Sequence, residues 1–254
     1  NYKQPVFRLT LGLCLAVWAS TPPAHRPVAQ SSNEELPQDE RQVVRPVVIN
    51  RVISATLAPS EAQVYTINLV KGQYLQVTAL SEQHWLNLAV HFLALRALAH
   101  DRGISPPSRL NVALIAPETG TYKITVYNNG NQSSALYQLL VELPQQPAPA
   151  FFMRAEAQRL EQELSRLYYD DRNKTTLRQM PEVGEEAARL FEQLKMGKAQ
   201  TDVLNLVAEA WRQLGDYGKA IETFERTLEL SRTIGYQGKI AEALTFIGMC
   251  RYQL

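Results

Sequence analysis

A single change of hydrophobic period divides this chain and limits what it can fold into. Between residues 43 and 143, short apolar alternations of period two are separated by turn residues. From residue 151 onward, apolar positions recur at helical spacing, and few breakers interrupt them. Period two is typical of strands, and a spacing of three to four residues is typical of helices. The sequence therefore predicts a multidomain β + α chain: an antiparallel β-sandwich at 43–143, a Pro-rich linker at 144–150 and helical hairpins at 151–254.

The boundaries of individual elements follow from the same patterns. Turn signals such as Lys71-Gly72 and Asn128-Asn129-Gly130 separate the alternating runs. The predicted strands are 64–69, 74–77, 86–90, 110–115, 122–127 and 137–141. The predicted helices are 151–169, 176–194, 202–214, 217–233 and one that begins near Lys239. Because the linker is rich in proline, we expect the sandwich to fold without the helices.

Two motifs in the strand region carry a family resemblance. They are Gly72-Gln73-Tyr74 and the segment 116–122, which reads Ala-Pro-Glu-Thr-Gly-Thr-Tyr. Both resemble the bacterial pre-peptidase C-terminal-like β-sandwich, which implies that Pro117 and Gly120 shape a turn and that Tyr122 faces the core. Some relatives bind calcium through several oxygen ligands, but this stretch offers only Asp101, so the resemblance predicts no calcium site here.

The helical region contains an internal repeat. Leu204, Val207 and Ala208 match Leu244, Ile247 and Gly248, and each pair is 40 residues apart. A fixed period with matching apolar and small residues indicates stacked helical hairpins. The segment 214–230 resembles a tetratricopeptide repeat, in which small, large and turn residues fall at set positions, so the resemblance implies an α-helical solenoid. The residues with these structural roles are Ala208, Gly215, Tyr217, Ala220, Phe224 and Gly248.

The segment 176–194 resembles the degenerate first hairpin of exported bacterial proteins that end in a caspase-like CHAT protease domain. In those relatives the order is signal, sandwich, hairpins and protease, so the chain resembles their N-terminal fragment. Pro181 and Gly184 depart from the apolar residues of that pattern. Since proline removes a backbone donor and glycine loosens a helix, we expect a kink or a late helix start there.

The first 42 residues predict export. Lys3 and Arg8 precede an apolar run at 9–19, which is shorter than the about 20 residues of a membrane span. This pattern is typical of a signal peptide, with removal expected before about residue 30, so we assign 1–29 to the signal and expect a periplasmic, cell-surface or secreted protein without a stable membrane span. Residues 30–42 are polar and Pro-rich, which predicts a disordered lead-in.

Charge and motif content narrow the function classes. The chain has 26 basic and 25 acidic side chains and a formal charge of +1, which argues against a nucleic-acid partner. It has no Gly-rich phosphate loop, no His-Glu-x-x-His and no Cys-x-x-Cys. The scattered histidines lack the spacing of a zinc motif. We therefore predict no cofactor, no metal and no catalytic residue in this region.

Three function hypotheses remain open. The first is a scaffold whose hairpins bind a partner protein or a downstream domain, and the second is the regulatory N-terminal part of a CHAT-type cysteine protease. The third is a carbohydrate site on the sandwich, which would need Tyr65, Trp85 and Tyr127 on one face. For the first hypothesis, helical spacing leaves a polar face on the helix 202–214. Its predicted partner-binding residues are Asn205, Glu209 and Arg212, which we expect to be exposed, whereas Ala208 and Ala220 should be buried.

Overall fold

A computed structural model gives the fold for residues 44–92, 97–103, 106–129, 133–170 and 173–254. The predicted signal peptide (1–29) and lead-in (30–42) lie outside these residues. Nine strands in the described residues precede five helices. The strands are β1 (Val44–Pro46), β2 (Ile53–Leu57), β3 (Ala62–Leu69), β4 (Tyr74–Ser81), β5 (Leu86–Phe92), β6 (Ala97–Arg102), β7 (Ser108–Ile115), β8 (Gly120–Asn128) and β9 (Ala135–Glu142).

The strands form two sheets with one apolar core between them. The five-stranded sheet has the order β1-β3-β8-β5-β6, and the four-stranded sheet has the order β2-β9-β4-β7. Every pair is antiparallel except the short edge pair β1 and β3, which is parallel. Alternate residues such as Leu75, Val77 and Val126 are fully buried between the sheets, as period two requires. The predicted sandwich is therefore present.

The Gly-Thr-Tyr turn acts as the resemblance implies. Tyr122 is fully buried and stacks on Phe92 with ring centroids 4.7 Å apart. Its hydroxyl donates a hydrogen bond to the carbonyl of Glu118 at 2.7 Å, which satisfies the polar end of a buried ring. Gly120 has φ +159°, and a Cβ there would lie 2.7 Å from the Phe92 ring, so the same stacking excludes a side chain.

Three strands were absent from the sequence prediction: β1, β2 and β6. All three lie at sheet edges, where fewer buried positions reveal a period. In β6 a register shift opposite Val90 and His91 further disrupts the alternation, and no residue of β1 is buried. The hydrophobic pattern of the sequence therefore does not reveal edge strands that have few buried residues.

The helices agree with the predicted runs but begin earlier in several cases. They are α1 (Pro149–Tyr169), α2 (Lys174–Gln193), α3 (Gly197–Leu214), α4 (Tyr217–Thr233) and α5 (Gln237–Gln253). Asn173 explains the early start of α2, because its side chain caps the amides of Thr175 and Thr176. At α4, the side chain of Asp216 accepts from the amide of Lys219 and so caps the helix.

The expectation of a late start at Pro181 and Gly184 is wrong, since α2 runs through both residues. Gly184 has a packing role instead. A Cβ at this position would lie 2.2 Å from Cγ2 of Val207, so glycine lets α3 approach α2 closely. Each helix packs against the next one along the chain, and apolar clusters fill the spaces between them.

Candidate functional site

The three predicted partner-binding residues lie on α3, but two of them are not exposed. Asn205 is 4% exposed and Glu209 is 7% exposed, whereas Arg212 is partly exposed. The expectation of exposure is therefore wrong for Asn205 and Glu209. The cause is α5, from which Glu242 accepts a hydrogen bond from Nδ2 of Asn205 at 2.9 Å. The residue pattern of α3 alone could not reveal this contact, because Glu242 lies 37 positions further along the chain than Asn205.

Glu209 and Arg212 form one unit with an aromatic ring of α5. The Arg212 Nε donates to the carboxylate of Glu209 at 2.6 Å. The Arg212 guanidinium also lies 5.4 Å from the centroid of the Phe246 ring. Burial alone would lower the pKa of Arg212, but the hydrogen bond to Glu209 and the negative charge of Glu209, with smaller contributions from neighbouring groups, together raise this pKa. Arg212 therefore stays charged while it covers an apolar ring.

Charged side chains extend this network toward the start of both helices. Lys198 donates to Asp202 at 2.8 Å, and Lys239 lies 2.8 Å from Glu242 and 3.9 Å from Asp202. Burial would raise the pKa of Asp202, but the charges of Lys198 and Lys239 outweigh it and lower this pKa. We call the whole set the polar row: Lys198, Asp202, Asn205, Glu209 and Arg212 of α3, with Lys239 and Glu242 of α5.

One atom in the polar row lacks a partner. The Asn205 Oδ1 is buried and accepts no hydrogen bond from the described residues. An unpaired buried acceptor costs roughly 1–3 kcal/mol, so such atoms are uncommon in folded proteins. The protein covers this atom, so a donor of a bound molecule, such as a backbone N–H, would reach it only if the Asn205 side chain turned toward solvent. Asn205 is thus the point in the row with an unused capacity to bind.

The residues assigned to the repeat lie on α3, α4 and α5 and at the turn between α3 and α4. Ala208 and Ala220 are fully buried, as expected, and share an apolar cluster with Phe224 and Tyr217. Gly215 ends α3 with φ +82°, a left-handed conformation that glycine adopts without strain. Gly248, the counterpart of Ala208, lies on an exposed side of α5 instead.

A second polar site joins α1 to the sandwich, and the sequence reading missed it. Gln158 is fully buried, and its Oε1 accepts from the amide of Ala113 at 3.0 Å. Its Nε2 donates to the carbonyls of His100 at 3.1 Å and Asn111 at 3.2 Å. His100 lies on β6 and Asn111 on β7, which are edge strands of the two different sheets. One side-chain amide therefore covers the open edges of both sheets, and no sequence pattern marks this glutamine.

Asp101 adds a direct link between the same two edges. It lies on β6, and its carboxylate accepts from the backbone amide of Asn111 on β7 at 2.9 Å. Burial raises the pKa of Asp101, and the hydrogen bond from Asn111 offsets only part of that rise. Nearby, Nε2 of His100 lies 3.3 Å from the Glu161 carboxylate of α1. We call these contacts, with those of Gln158, the sandwich joint.

The sandwich joint adjoins the polar row. Arg102 follows Asp101 on β6, and its charge helps to lower the pKa of Asp202 on α3. In the same way, the charge of Lys198 opposes the rise in the pKa of Asp101. The charged groups of β6 and of α3 are therefore close enough to influence one another.

The aromatic residues considered for a carbohydrate site do not share a face. Tyr65 lies in the core between the sheets, where its hydroxyl hydrogen-bonds that of Tyr137 at 2.7 Å. Trp85 is 49% exposed in the turn before β5, and Tyr127 lies on the outer side of β8. This arrangement removes the basis of that hypothesis.

The described residues contain no metal-binding cluster, no membrane-spanning helix and no reactive thiol. No group of three or more His, Cys, Asp or Glu side chains among the described residues could hold a metal ion. No helix of the described ranges has both the length and the apolar character needed to cross a bilayer. Burial raises the pKa of the Cys250 thiol, which leaves it in its unreactive neutral form at neutral pH.

Comparison with known proteins yields likeness of structure only. No family model and no curated protein sequence matches the chain. A pre-peptidase C-terminal domain of a Bacillus anthracis collagenase is 19% identical, with a TM-score of 0.35, and the match covers 41% of this chain and 98% of that one. A periplasmic inhibitor of g-type lysozyme from Aeromonas hydrophila is 16% identical (TM-score 0.34; 40% and 96% covered). A surface-associated copper-binding protein of Methylomicrobium album is 10% identical (TM-score 0.35; 41% and 98% covered).

Proposed function

We propose that this chain is a non-catalytic interaction region of an exported bacterial protein, in which tetratricopeptide-type hairpins bind a partner protein. The observation that carries the proposal is the polar row with its unpaired Asn205 Oδ1. A row of charged and amide groups across two helices suits a peptide segment, because such a segment offers backbone N–H donors at regular intervals. Charge complementarity along the row would then select the partner.

The sandwich joint supports the same function in a different way. Since Gln158 binds backbone groups of both sheets, the sandwich has a defined position beside α1. Its Arg102 then adds a positive charge at the border of the polar row. A bound segment could therefore contact the hairpins and β6 together. The charged N-terminus and apolar run at 9–19 support export of this platform.

The test uses Asn205→Ala and a matched control. The whole chain, immobilised, captures extracellular or periplasmic proteins from the source organism, and quantitative mass spectrometry compares variants. We expect proteins captured by the wild type to be lost with Asn205→Ala and kept with Arg189→Ala, an exposed change on α2. The melting temperature should change little in Asn205→Ala, because Glu242 retains Lys239. A capture profile that is the same for all three proteins would contradict the proposal.

Arg212→Ala is a less specific test of partner capture than Asn205→Ala. Its removal would leave the Glu209 carboxylate, which is 7% exposed, without its ion-pair partner. An unpaired buried charge is strongly destabilising, so weaker capture by this variant could arise from a damaged fold. Asn205→Ala removes the hydrogen bond from Nδ2 to Glu242 but leaves no buried charge without a partner, because Glu242 keeps its ion pair with Lys239.

A further inference from the structure

The charged side chains of the polar row are already paired with one another. The pairs are Lys198–Asp202, Glu209–Arg212 and Lys239–Glu242. A partner that bound one of these groups would exchange one ion pair for another, so the charges alone offer it little net free energy. Asn205 is the exception in the row, because its Oδ1 accepts no hydrogen bond from the described residues.

Glu242 keeps the amide of Asn205 turned inward. Nδ2 of Asn205 donates to Oε1 of Glu242 at 2.9 Å. The other carboxylate oxygen, Oε2, accepts from Nζ of Lys239 at 2.8 Å, which fixes the carboxylate on α5. The side chain of Glu242 is 33% exposed, whereas Asn205 is 4% exposed, so solvent reaches the carboxylate far more readily than the amide that it holds.

The inward position satisfies only one end of the Asn205 amide. Its Nδ2 is bonded, but its Oδ1 is buried and unpaired, whereas water would satisfy both ends of an amide that turned outward. The hydrogen bond to the charged Glu242 opposes this cost, because bonds to ionised groups are stronger than those between neutral groups. The inward position therefore depends on Glu242, and a change at this one residue would shift the balance.

We propose that Glu242 is a latch, which keeps Asn205 turned inward and must release it before a partner binds to the polar row. This inference rests on the proposed function and adds the regulation of the same site. An outward Asn205 presents a donor and an acceptor together, which match the two groups of a peptide unit. Because only molecules with the outward amide are competent, the latch weakens the apparent affinity in proportion to their fraction.

Two substitutions at Glu242 separate the latch from the ion pair. Glu242→Ala removes the acceptor and would leave both ends of an inward amide unpaired, so the outward position becomes favoured. Glu242→Gln also removes the charge that pairs with Lys239, but it keeps an oxygen for Nδ2 of Asn205, so the latch stays closed. In both variants Lys239 retains its neighbour Asp202, at 3.9 Å.

Hydrogen exchange of the Asn205 side-chain amide, followed by NMR on the whole chain, tests the latch without any partner. In the wild type and in Glu242→Gln we expect exchange about tenfold slower, or more, than that of an exposed asparagine side chain. In Glu242→Ala we expect exchange about tenfold faster than in the wild type, since a hydrogen bond to a charged group is lost. Equal exchange in the wild type and Glu242→Ala would overturn the proposal.

The capture experiment on exported proteins supplies a second readout for the same variants. Glu242→Ala should increase several-fold the capture of those proteins that Asn205→Ala loses, and it should lower the melting temperature because a hydrogen bond and an ion pair are gone. A contact that only stabilised the fold would lower both quantities. Reduced capture by Glu242→Ala together with faster exchange would also refute the latch, because Glu242 would then belong to the binding surface.

The two readouts distinguish failure of the latch from failure of the proposed function. If the wild type captures proteins through Asn205 and Glu242→Ala captures no more, the function stands and the latch is wrong. If neither protein captures anything that Asn205→Ala loses, the proposed function is wrong and the latch has no partner to admit. Capture by Glu242→Ala alone, with faster exchange, would support both.

Discussion

The helices are joined to one another and to the sandwich by two different kinds of contact. Between α3 and α4 the contact is apolar, with Ala208 against Ala220 and Phe224. Between α1 and the sandwich, the contact of Tyr74 with the Phe151 and Phe152 rings is apolar, but it is joined by a polar contact in which Gln158 is bonded to three backbone groups. Apolar contact is insensitive to direction, whereas a hydrogen bond weakens steeply when its angle or distance changes. One glutamine can therefore fix an orientation that several apolar residues would fix only by their shape.

The largest expected effect is at the sandwich joint. In Gln158→Ala the amide of Ala113 and the carbonyl of His100 lose the bond from Gln158, and the carbonyl of Asn111 keeps only its long bond from Arg154 at 3.5 Å. Each unsatisfied buried group costs roughly 1–3 kcal/mol, and partial entry of water reduces the sum, so we expect a loss of about 3 kcal/mol. Urea unfolding measures it. Arg159→Ala, an exposed change on the same helix, should cost less than about 0.5 kcal/mol, and similar losses in both variants would contradict the role of Gln158.

The stability of the apolar contact between α3 and α4 should depend on side-chain volume. Ala220→Trp places a large ring where a fully buried methyl group contacts α3, and overpacking of this kind costs about 1–3 kcal/mol. Ala241→Trp, on the exposed side of α5, is the matched control and should be nearly neutral. Thermal melts compare the two. An unchanged melting temperature in Ala220→Trp would mean that α3 and α4 are not in close contact.

Replacing Gly184 and Gly248 by alanine should change the free energy of unfolding in opposite directions. Gly184→Ala forces a Cβ to within 2.2 Å of Val207, so the strain should exceed the gain in helix propensity and leave a net loss of about 1 kcal/mol. Gly248→Ala meets no described atom within 4 Å and should gain up to about 1 kcal/mol from propensity alone. Chemical denaturation of both variants checks the signs. Stabilisation by Gly184→Ala would exclude the close approach of α2 and α3.

The smallest effect concerns the pH dependence of the sandwich joint. The pKa of Asp101 is raised above 3.8 in the folded state, so folding favours the protonated acid. Its contribution to stability therefore grows as pH falls from neutral through the raised pKa, and it is smallest above that pKa. Asp101→Asn keeps an acceptor for the Asn111 amide and removes this titration. We expect the variant to show a weaker rise in stability between pH 7 and pH 4 than the wild type, measured by denaturation at several pH values. Identical pH profiles would contradict a raised pKa.

The difference between the α3–α4 contact and the sandwich joint also explains which features of the fold could be predicted from the sequence. Strands with one buried face, such as β4 and β8, show period two because burial constrains residue type at fixed intervals. Gln158 leaves no such signal, since its partners are backbone groups that any residue carries. The cap at Asn173 was readable in principle from Thr176 three positions later.

The burial of Asn205 and Glu209 in the polar row could not be predicted from the residue pattern of a single helix. Asn205 and Glu209 have the spacing of an exposed face, and their cover comes from Glu242 and Phe246 of α5. The reverse holds on α5, where Leu244 has the residue type of a core position but is exposed. In both cases the neighbouring helix, rather than the local pattern, decides exposure. Independent folding of the sandwich, residues 43–143, likewise stays a prediction, because α1 supplies partners to its edge strands.

Hydrogen exchange at one amide tests most directly whether the sandwich and the hairpins are joined into one platform. The amide of Ala113 is bonded to Gln158 of α1, whereas the amide of Asn111 is bonded to Asp101 within the sandwich. We predict that both amides are protected in the wild type, and that Gln158→Ala removes the protection of Ala113 while Asn111 retains most of its own. Rapid exchange of Ala113 in the wild type, or equal protection in the variant, would contradict the account.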